Sequence, residues 1–258
     1  MSTYREIEKR REKITKLIHL QDSVSVEKLS SLLGVSEMTV RRDLNILSKK
    51  GSILRLRGVA LKIDNQDEAP YLIRSLEMKK EKQSIGQKAA SLVKEGDVVL
   101  LDVGSTIIEV LKNIINIQRL QIITHWIPVA IECKINKHSN VVILGGKVDL
   151  TELSIGGGGP EEMLKDYVAD IFFLGVSGIS TEYGLTDYRM EEVRVKRQMI
   201  KNAKKVIAVA DHSKFGHIAP IKICELNDID KILTDSRIDQ ALLNHVRDFG
   251  ISVLTVDV

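Results

Sequence analysis

A chain of 258 residues with 43% hydrophobic side chains is too long to be a nucleic-acid-binding module alone and apolar enough to bury a real core, so two domains are expected. No run of about eighteen apolar residues occurs, and the opening MSTYREIEKRREK has no apolar stretch, which argues against a membrane span or a secretory leader and for a cytoplasmic protein. The net charge of +3 is uneven: residues 1–60 hold 13 Lys and Arg against 7 Asp and Glu, the rest 25 against 28, so a basic head suited to a polyanion precedes a mildly acidic body.

Tyr4 to Leu20 reads as a helix with Ile7, Ile14, Leu17 and Ile18 as its apolar stripe. Arg5, Lys9, Arg10, Arg11, Lys13 and Lys16 crowd the remaining faces and offer phosphate contacts, which give affinity without sequence choice. Next come two short amphipathic helices around a corner at Gly34-Val35-Ser36. The first, from about Val26 to Leu33, places Leu29, Leu32 and Leu33 on one face. Gly34 suits the positive φ of such a corner, and Ser36 stands where an N-cap belongs. In the second helix Val40, Leu44 and Leu47 form a buried stripe, leaving Thr39, Arg41, Arg42 and Asn45 outward. That is the shape of a DNA recognition helix, although similar pairs occur in proteins that never touch DNA.

Lys49-Lys50-Gly51 ends this helix with cations and a glycine. The arginine-bearing run Ile53 to Gly58 then reads as the start of a hairpin, completing the outline of a winged helix over residues 1–61, with the helix-turn-helix motif at Val24 to Asp43. Residues 62–75, including the polar IDNQDEAP, read as a linker, and 76–258 as the second domain. Leu72 to Val93 is expected to be one helical region with Ile85, Ala89 and Leu92 buried.

From Gly96 the pattern alternates. Strands are expected at Val98–Leu101, Leu120–Thr124, Val141–Leu144, Ile171–Val176, Val206–Ala210, Ile232–Thr234 and Ser252–Val256, with helices between them. This alternation implies an α/β body with a mainly parallel sheet, in which ligands bind beyond the carboxyl ends of the strands. Those ends read Asp102-Val103-Gly104-Ser105-Thr106, His125-Trp126, Gly145-Gly146-Lys147, Gly175-Val176-Ser177-Gly178 and Asp211-His212-Ser213-Lys214. The Gly-Ser-Thr turn feeding a helix suits a phosphate but also fits an ordinary βα turn; it is neither a Walker A loop nor GxGxxG. Gly156 to Pro160 reads better as a helix start than as a phosphate loop. Glu192 and Lys196, four apart, suggest a surface ion pair unless their face lines a cleft. Asp211, His212 and Ser213 are consecutive and form no nucleophilic triad. The six histidines lack metal spacing, and Cys133 and Cys224 read as buried thiols.

These residues together resemble the DeoR family of bacterial transcription regulators over almost the whole chain. Val35 to Leu44 looks like the family's VSxxTIRRDL, Leu101 to Thr106 like its LDxGTT, and Gly145-Gly146 like its LGG. Gly184-Leu185-Thr186, Glu192 to Ile200 and Asp211 to Gly216 look like its GLT, ExxVKRxMI and DHSKFG. The resemblance implies a body similar to ribose-5-phosphate isomerase and CoA transferases that senses a phosphorylated sugar. It also implies a homo-oligomer, dimer or tetramer, on double-stranded operator DNA, with no cofactor and no membrane partner. By carry-over the effector-site candidates are Asp102, Gly104, Ser105, Thr106, Gly145, Gly175, Glu192, Lys196 and Lys214. Two departures stand out: Arg57-Gly58-Val59-Ala60 replaces the wing's HGGA, and Thr124-His125 replaces Thr-Asn, which adds His125 to the site and points either to an altered choice of effector or, where it lines the pocket, to a pH response.

The function expected is a repressor of a carbohydrate operon, not an enzyme. Ser36, Glu37, Met38, Thr39, Arg41, Arg42, Asn45, Arg55 and Arg57 are the DNA-contact candidates. A sugar-phosphate isomerase with Glu192 as base, and a DNA-compacting protein without effector control, are the rival readings.

Overall fold

A computed structural model describes the chain apart from residues 1–3, 22, 50–52, 57–58, 63–67, 69–70 and 136–139. It divides into an N-terminal unit, residues 1–73, and a C-terminal unit, residues 74–258.

The N-terminal unit comprises α1 (Tyr4–Gln21), β1 (Ser23–Ser25), α2 (Val26–Leu33), α3 (Glu37–Lys49), β2 (Ile53–Leu56) and β3 (Val59–Lys62). The three strands form an antiparallel sheet in the order β1-β3-β2. Local chemistry sets each boundary. Ser25 caps α2 by accepting from Lys28 N, and Gly34 ends it at φ 63°, donating to Ser30 O. Ser36 Oγ accepts from Thr39 N at 3.2 Å and starts α3. Ile14, Ile18, Val26, Leu29, Val40, Leu44 and Leu47 close the core.

Three expectations change here. Leu32 is 49% exposed, because so short a helix buries only the stripe Val26–Leu29, with Leu33 packed beside it. β1 went unread, since three residues carry no periodicity. Arg10 and Arg11 turn inward: their Nε atoms donate to the two oxygens of buried Asp43 at 2.7 and 2.9 Å, tying α1 to α3. Those two cations are therefore engaged within the unit. The proposed stop at Lys50-Gly51, the wing turn Arg57-Gly58 and all of Ile63–Pro70 except Glu68 lie outside the described residues.

α4 (Tyr71–Arg74) crosses the boundary between the units. The rest of the C-terminal unit runs α5 (Lys79–Ala90), β4 (Val98–Leu101), α6 (Ser105–Ile114), β5 (Gln121–Thr124), α7 (Ile127–Ile135), β6 (Val141–Ile143), β7 (Lys147–Val148), β8 (Ile155–Gly156), α8 (Gly159–Leu164), β9 (Ile171–Gly175), β10 (Gly178–Ser180), β11 (Gly184–Asp187), α9 (Met190–Asn202), β12 (Val206–Val209), β13 (Ile221–Cys224), β14 (Lys231–Asp235), α10 (Gln240–Asp248) and β15 (Ser252–Val256). Seven strands form one parallel sheet in the order β15-β14-β12-β9-β4-β5-β6. The chain starts this sheet at β4, builds outward to β6, then returns to β9 on β4's other side. β4 and β9 thus flank the topological switch point, where α/β sheets open a crevice for ligands.

The expected strands are present as apolar runs: the central β9 and β12 are buried at every position, whereas the edge strands β6 and β15 are largely half-buried or exposed. Phe172, Leu174, Val206 and Ala208 pack with Val193, Val195 and Met199 of α9 in one core. The three-stranded antiparallel sheet β10-β11-β13 and the hairpin β7-β8 were not foreseen; their strands are two to four residues long and mostly small or polar. The single helix expected over Leu72–Val93 is broken. Met78 adopts φ 47° before α5, and the buried Lys82 Nζ fills the break by donating to Arg74 O at 2.5 Å and Glu77 O at 2.7 Å. Both thiols are free and buried, and burial raises Cys133 to about 11 and Cys224 to about 12. Among the described residues no helix is long and apolar enough to cross a membrane.

Phe172 is fully buried on the central strand β9. Phe172→Ala should lower the unfolding free energy of the C-terminal unit by about 3–5 kcal/mol, read from urea denaturation; a loss below about 1 kcal/mol would contradict the packing described.

Candidate functional site

Along α3 the inward side is Val40, Asp43, Leu44 and Leu47, while Ser36, Glu37, Met38, Arg41, Arg42 and Asn45 are exposed and Thr39 half-buried. The outward residues form one face that is polar and basic apart from the exposed Met38. Ser36 is occupied as the cap, 3.0 Å from Thr39 Oγ1. Arg41 Nη2 lies 3.0 Å from Glu37 Oε2 in a solvent-exposed pair, a weak interaction that a phosphate or a base edge can displace. Arg55 lies on β2 with its side chain outside the described residues, and Arg57 lies outside them altogether.

The second site stands at the switch point. Asp102 follows β4, Gly175 closes β9, and Lys196 reaches in from α9. Lys196 Nζ donates to Asp102 Oδ2 at 2.9 Å, Asp187 Oδ2 at 2.7 Å and Gly175 O at 2.9 Å. Asp102 Oδ2 also accepts from Gly175 N at 2.9 Å. A Cβ on Gly175 would stand 2.5 Å from Val103 O, so no other residue fits without displacing the neighbouring strand end. Asp187 Oδ1 accepts from Ser177 Oγ and Tyr188 N. Every one of these charged groups is buried.

Protonation follows from that arrangement. Burial alone would strip the proton from Lys196, but the carboxylates of Asp102, Asp187 and Glu192 outweigh it and raise its pKa. Asp187 is likewise desolvated, yet Lys196 holds it ionised with its pKa lowered. Asp102 goes the other way: its complete burial raises its pKa against the opposing pull of Lys196. Glu192, one turn from Lys196 on α9, accepts from Ser154 Oγ at 2.8 Å, and burial raises it to about 7. The surface ion pair suggested by the spacing of Glu192 and Lys196 is corrected: both side chains are buried and each has different partners. His125 is fully buried, and burial followed by the charge of Lys196 pushes it down to about 3. It stays neutral near physiological pH, which removes the expected pH response at this residue.

Some polar atoms remain unsatisfied here. Asp102 Oδ1 and both ring nitrogens of His125 are buried without a hydrogen-bond partner, and Asp102 Oδ1 lies 3.8 Å from His125 Nε2. That gap is too long for a direct bond. A hydroxyl oxygen about 2.8 Å from each could donate to the carboxylate and accept from the ring. Next to Asp102, Gly104 takes φ 141° and starts α6, with Ser105 and Thr106 in its first turn. Neither hydroxyl has a hydrogen-bond partner among the described residues. The first amides of a helix lack intrahelical acceptors, so this corner offers donors to an anion.

Of the candidates read from the sequence, Asp102, His125, Gly175 and Lys196 form this cluster, with Glu192 beside it and Gly104, Ser105 and Thr106 following directly. Gly145 follows β6 and Lys214 the end of β12, each one strand further out in the sheet. Gly146 and Gly159 serve backbone packing: a Cβ on either would stand 2.4 Å from the other segment's carbonyl oxygens, those of Gly156 and Gly145. α8 begins at Gly159 with Pro160 as its second residue, one position later in the helix than expected. His212 turns to Asp235, at 2.9 Å from Nδ1, while Ser213 bonds Asp211, so these neighbours point apart. Asp187, Ser177, Ser154 and Glu152 were missed. The available signal was Asp187 itself, a lone charge ending the buried strand β11. Among the described residues no group of three or more His, Cys, Asp or Glu is placed to hold a metal ion.

Comparison with known proteins covers both units. A family model for a DeoR-like helix-turn-helix domain matches residues 10–66, and one for the DeoR C terminal sensor domain matches residues 77–236. The chain is 33% identical over 249 residues to the HTH-type transcriptional regulator GolR of Listeria innocua, covering 94% of this chain and 97% of that one. It is 36% identical over 235 residues to the HTH-type transcriptional repressor GlcR of Bacillus subtilis, covering 91% and 90%. It is 31% identical over 223 residues to the glycerol-3-phosphate regulon repressor of Escherichia coli, covering 86% and 88%. Among solved structures it is similar to ribose 5-phosphate isomerase from Plasmodium falciparum over 54% of this chain and 53% of that one, at 19% identity and a TM-score of 0.41.

Between its ordinary pKa of 4.5 and about 7, Glu192 keeps a proton in the folded protein that the unfolded chain has released. The resulting stabilisation is complete below pH 4.5 and is lost as pH rises through 7. Glu192→Gln removes that slope. From pH 4 to pH 8 the variant should gain about 3 kcal/mol on the wild type in urea unfolding, and a constant difference across this range would refute the assignment.

Proposed function

This chain belongs to the DeoR family of helix-turn-helix transcription regulators, and on that premise we propose that it represses a carbohydrate-metabolism operon under the control of a phosphorylated sugar or related metabolite. The observation that carries the reading is the set of unsatisfied buried polar atoms at Asp102 and His125, beside the N-terminus of α6, in a chain whose other unit displays an exposed basic helix face.

The charges set the ligand's orientation. Lys196 is neutralised by two aspartates and so offers nothing to a phosphate. The anionic end fits the first turn of α6, at Gly104, Ser105 and Thr106, with Lys214 and the Gly145 turn flanking it. The hydroxyl-bearing end fits between Asp102 and His125. Of the relatives, one is named for a glycerol-3-phosphate regulon, which agrees with a small phosphorylated polyol as the class.

On the DNA side Arg41 and Arg42 contact phosphates or guanine edges, with Thr39, Asn45, Met38, Ser36 and Glu37 around them and the wing arginines Arg55 and Arg57 beside the groove. The protein acts in the cytoplasm as a dimer or tetramer on repeated operator half-sites. What weighs against the isomerase reading is that Glu192 accepts from Ser154 and Lys196 is held by carboxylates. Assays on pentose and hexose phosphates separate the isomerase reading, and equal binding to random duplex would favour DNA compaction instead.

Arg41→Ala should weaken binding to its own promoter DNA by about 1–3 kcal/mol in a band-shift titration, against no more than a small change for random duplex; unchanged affinity would remove Arg41 from the interface. In a thermal-shift screen, at least one phosphorylated polyol should raise the melting temperature where inorganic phosphate at equal concentration does not. A flat response across triose, pentose and hexose phosphates would overturn the effector reading.

A further inference from the structure

The chain passes from the N-terminal unit to the C-terminal unit between residues 73 and 74, so a change at the strand ends that reaches Arg74 reaches the neighbour of the last residue of the N-terminal unit. We propose that the Glu152–Arg74 ion pair is the positioning contact that carries it, with the loop from Asp149 to Ile155 as the part that moves; this rests on the effector reading above.

The loop is stiffened from within. Asp149 Oδ1 accepts from Thr151 N at 2.7 Å and Glu152 N at 3.2 Å, and Asp149 N donates to Ser154 O at 2.8 Å. It is stapled to the end of β5: Ile155 N donates to His125 O at 2.8 Å, Ile127 N to Leu153 O at 3.1 Å, and Trp126 Nε1 to Glu152 O at 2.7 Å. It is tied to α9 through Ser154 Oγ and Glu192 at 2.8 Å. A ligand seated against His125, or one that takes the Ser154–Glu192 bond, therefore acts on this loop directly.

The same loop sends a carboxylate the other way. Glu152, fully buried, lies 2.5 Å from Arg74 Nη2 and 3.4 Å from Arg189 Nη2. Arg189 caps α9 one turn ahead of Glu192. Arg74 closes α4, whose first three residues belong to the N-terminal unit. Separating a buried carboxylate from its guanidinium in a medium of low dielectric is costly, so Glu152 and Arg74 move as one body. The backbone of Arg74 is gripped as well: Lys82 Nζ holds its carbonyl at 2.5 Å and lies 3.9 Å from Asp211, at the end of β12. The first residue of the sensor unit is thus held at its side chain and its carbonyl by groups anchored at the carboxyl edge of the sheet.

The test needs no ligand, so its failure is distinct from failure of the effector reading. Amide hydrogen exchange of the full chain is compared for wild type, Ser154→Ala, Glu152→Gln and, as a remote control, Ser180→Ala. Ser154→Ala removes only the bond to Glu192, yet it should accelerate exchange at least threefold both within Asp149–Ile155 and across Tyr71–Met78. Glu152→Gln should do the same across Tyr71–Met78, Arg74→Met should match it, and Arg74→Lys should restore most of the protection. Ser180→Ala should leave Tyr71–Met78 unchanged. In band shifts, Glu152→Gln should change promoter affinity at least threefold, where Ser180→Ala leaves it unchanged. Acceleration by Ser154→Ala confined to Asp149–Ile155, or a Glu152→Gln variant with wild-type exchange at Tyr71–Met78, overturns the proposal. Should Glu152→Gln fail to fold, the Ser154→Ala result and the contrast between Arg74→Met and Arg74→Lys decide it alone.

Discussion

A lysine buried to within 2% of complete exclusion from solvent holds the sensor unit's working edge together. An ammonium ion removed from water is tolerated only when opposite charge and acceptors replace its hydration. Lys196 finds three: Asp102 from the end of β4, Asp187 from the end of β11, and the carbonyl of Gly175 from the end of β9. Each acceptor comes from a different strand and the lysine from a helix, so one side chain fixes four elements at the switch point. Removing any partner would leave an uncompensated charge, which is why the knot specifies geometry more than it adds stability. The knot also leaves one carboxylate oxygen of Asp102 without a hydrogen-bond partner beside a neutral histidine.

The DNA-binding unit is organised by a smaller version of the same device. Asp43 is buried on the inner side of α3 and takes one bond from each of two arginines of α1. The arginines next to it in sequence, Arg41 and Arg42, stay exposed. A single turn of helix thus carries, on different faces, the residue that holds the helix in place and the arginines that face outward. A helix anchored this way can exchange surface partners without reorienting, because the anchoring charges lie beneath the surface.

Much of this was legible in advance, and for identifiable reasons. Val98–Leu101, Ile171–Gly175 and Val206–Val209 are apolar runs bounded by turn residues, and a parallel sheet buried on both faces demands such runs. Gly34 and Ser36 mark the corner of the head because only particular residues satisfy a positive φ and a helix start. The small sheet of β10, β11 and β13 was not legible, since its strands are too short to show alternation. At the site, spacing revealed that Glu192 and Lys196 share a helix face but not that this face looks inward. Asp187 escaped because its partner is nine positions away in sequence and on a different element. His125 was found, but its protonation state depends on burial, which no local pattern reports.

The two thiols carry a consequence of their own. Cys133 and Cys224 are both shut away from solvent, and burial holds each in the protonated form, at about 11 and about 12. Peroxide and disulfide exchange act on thiolates that solvent can reach. Both cysteines of the sensor unit are thereby withheld from chemistry that needs an exposed thiolate, so neither is placed to act as an oxidation switch while the unit is folded.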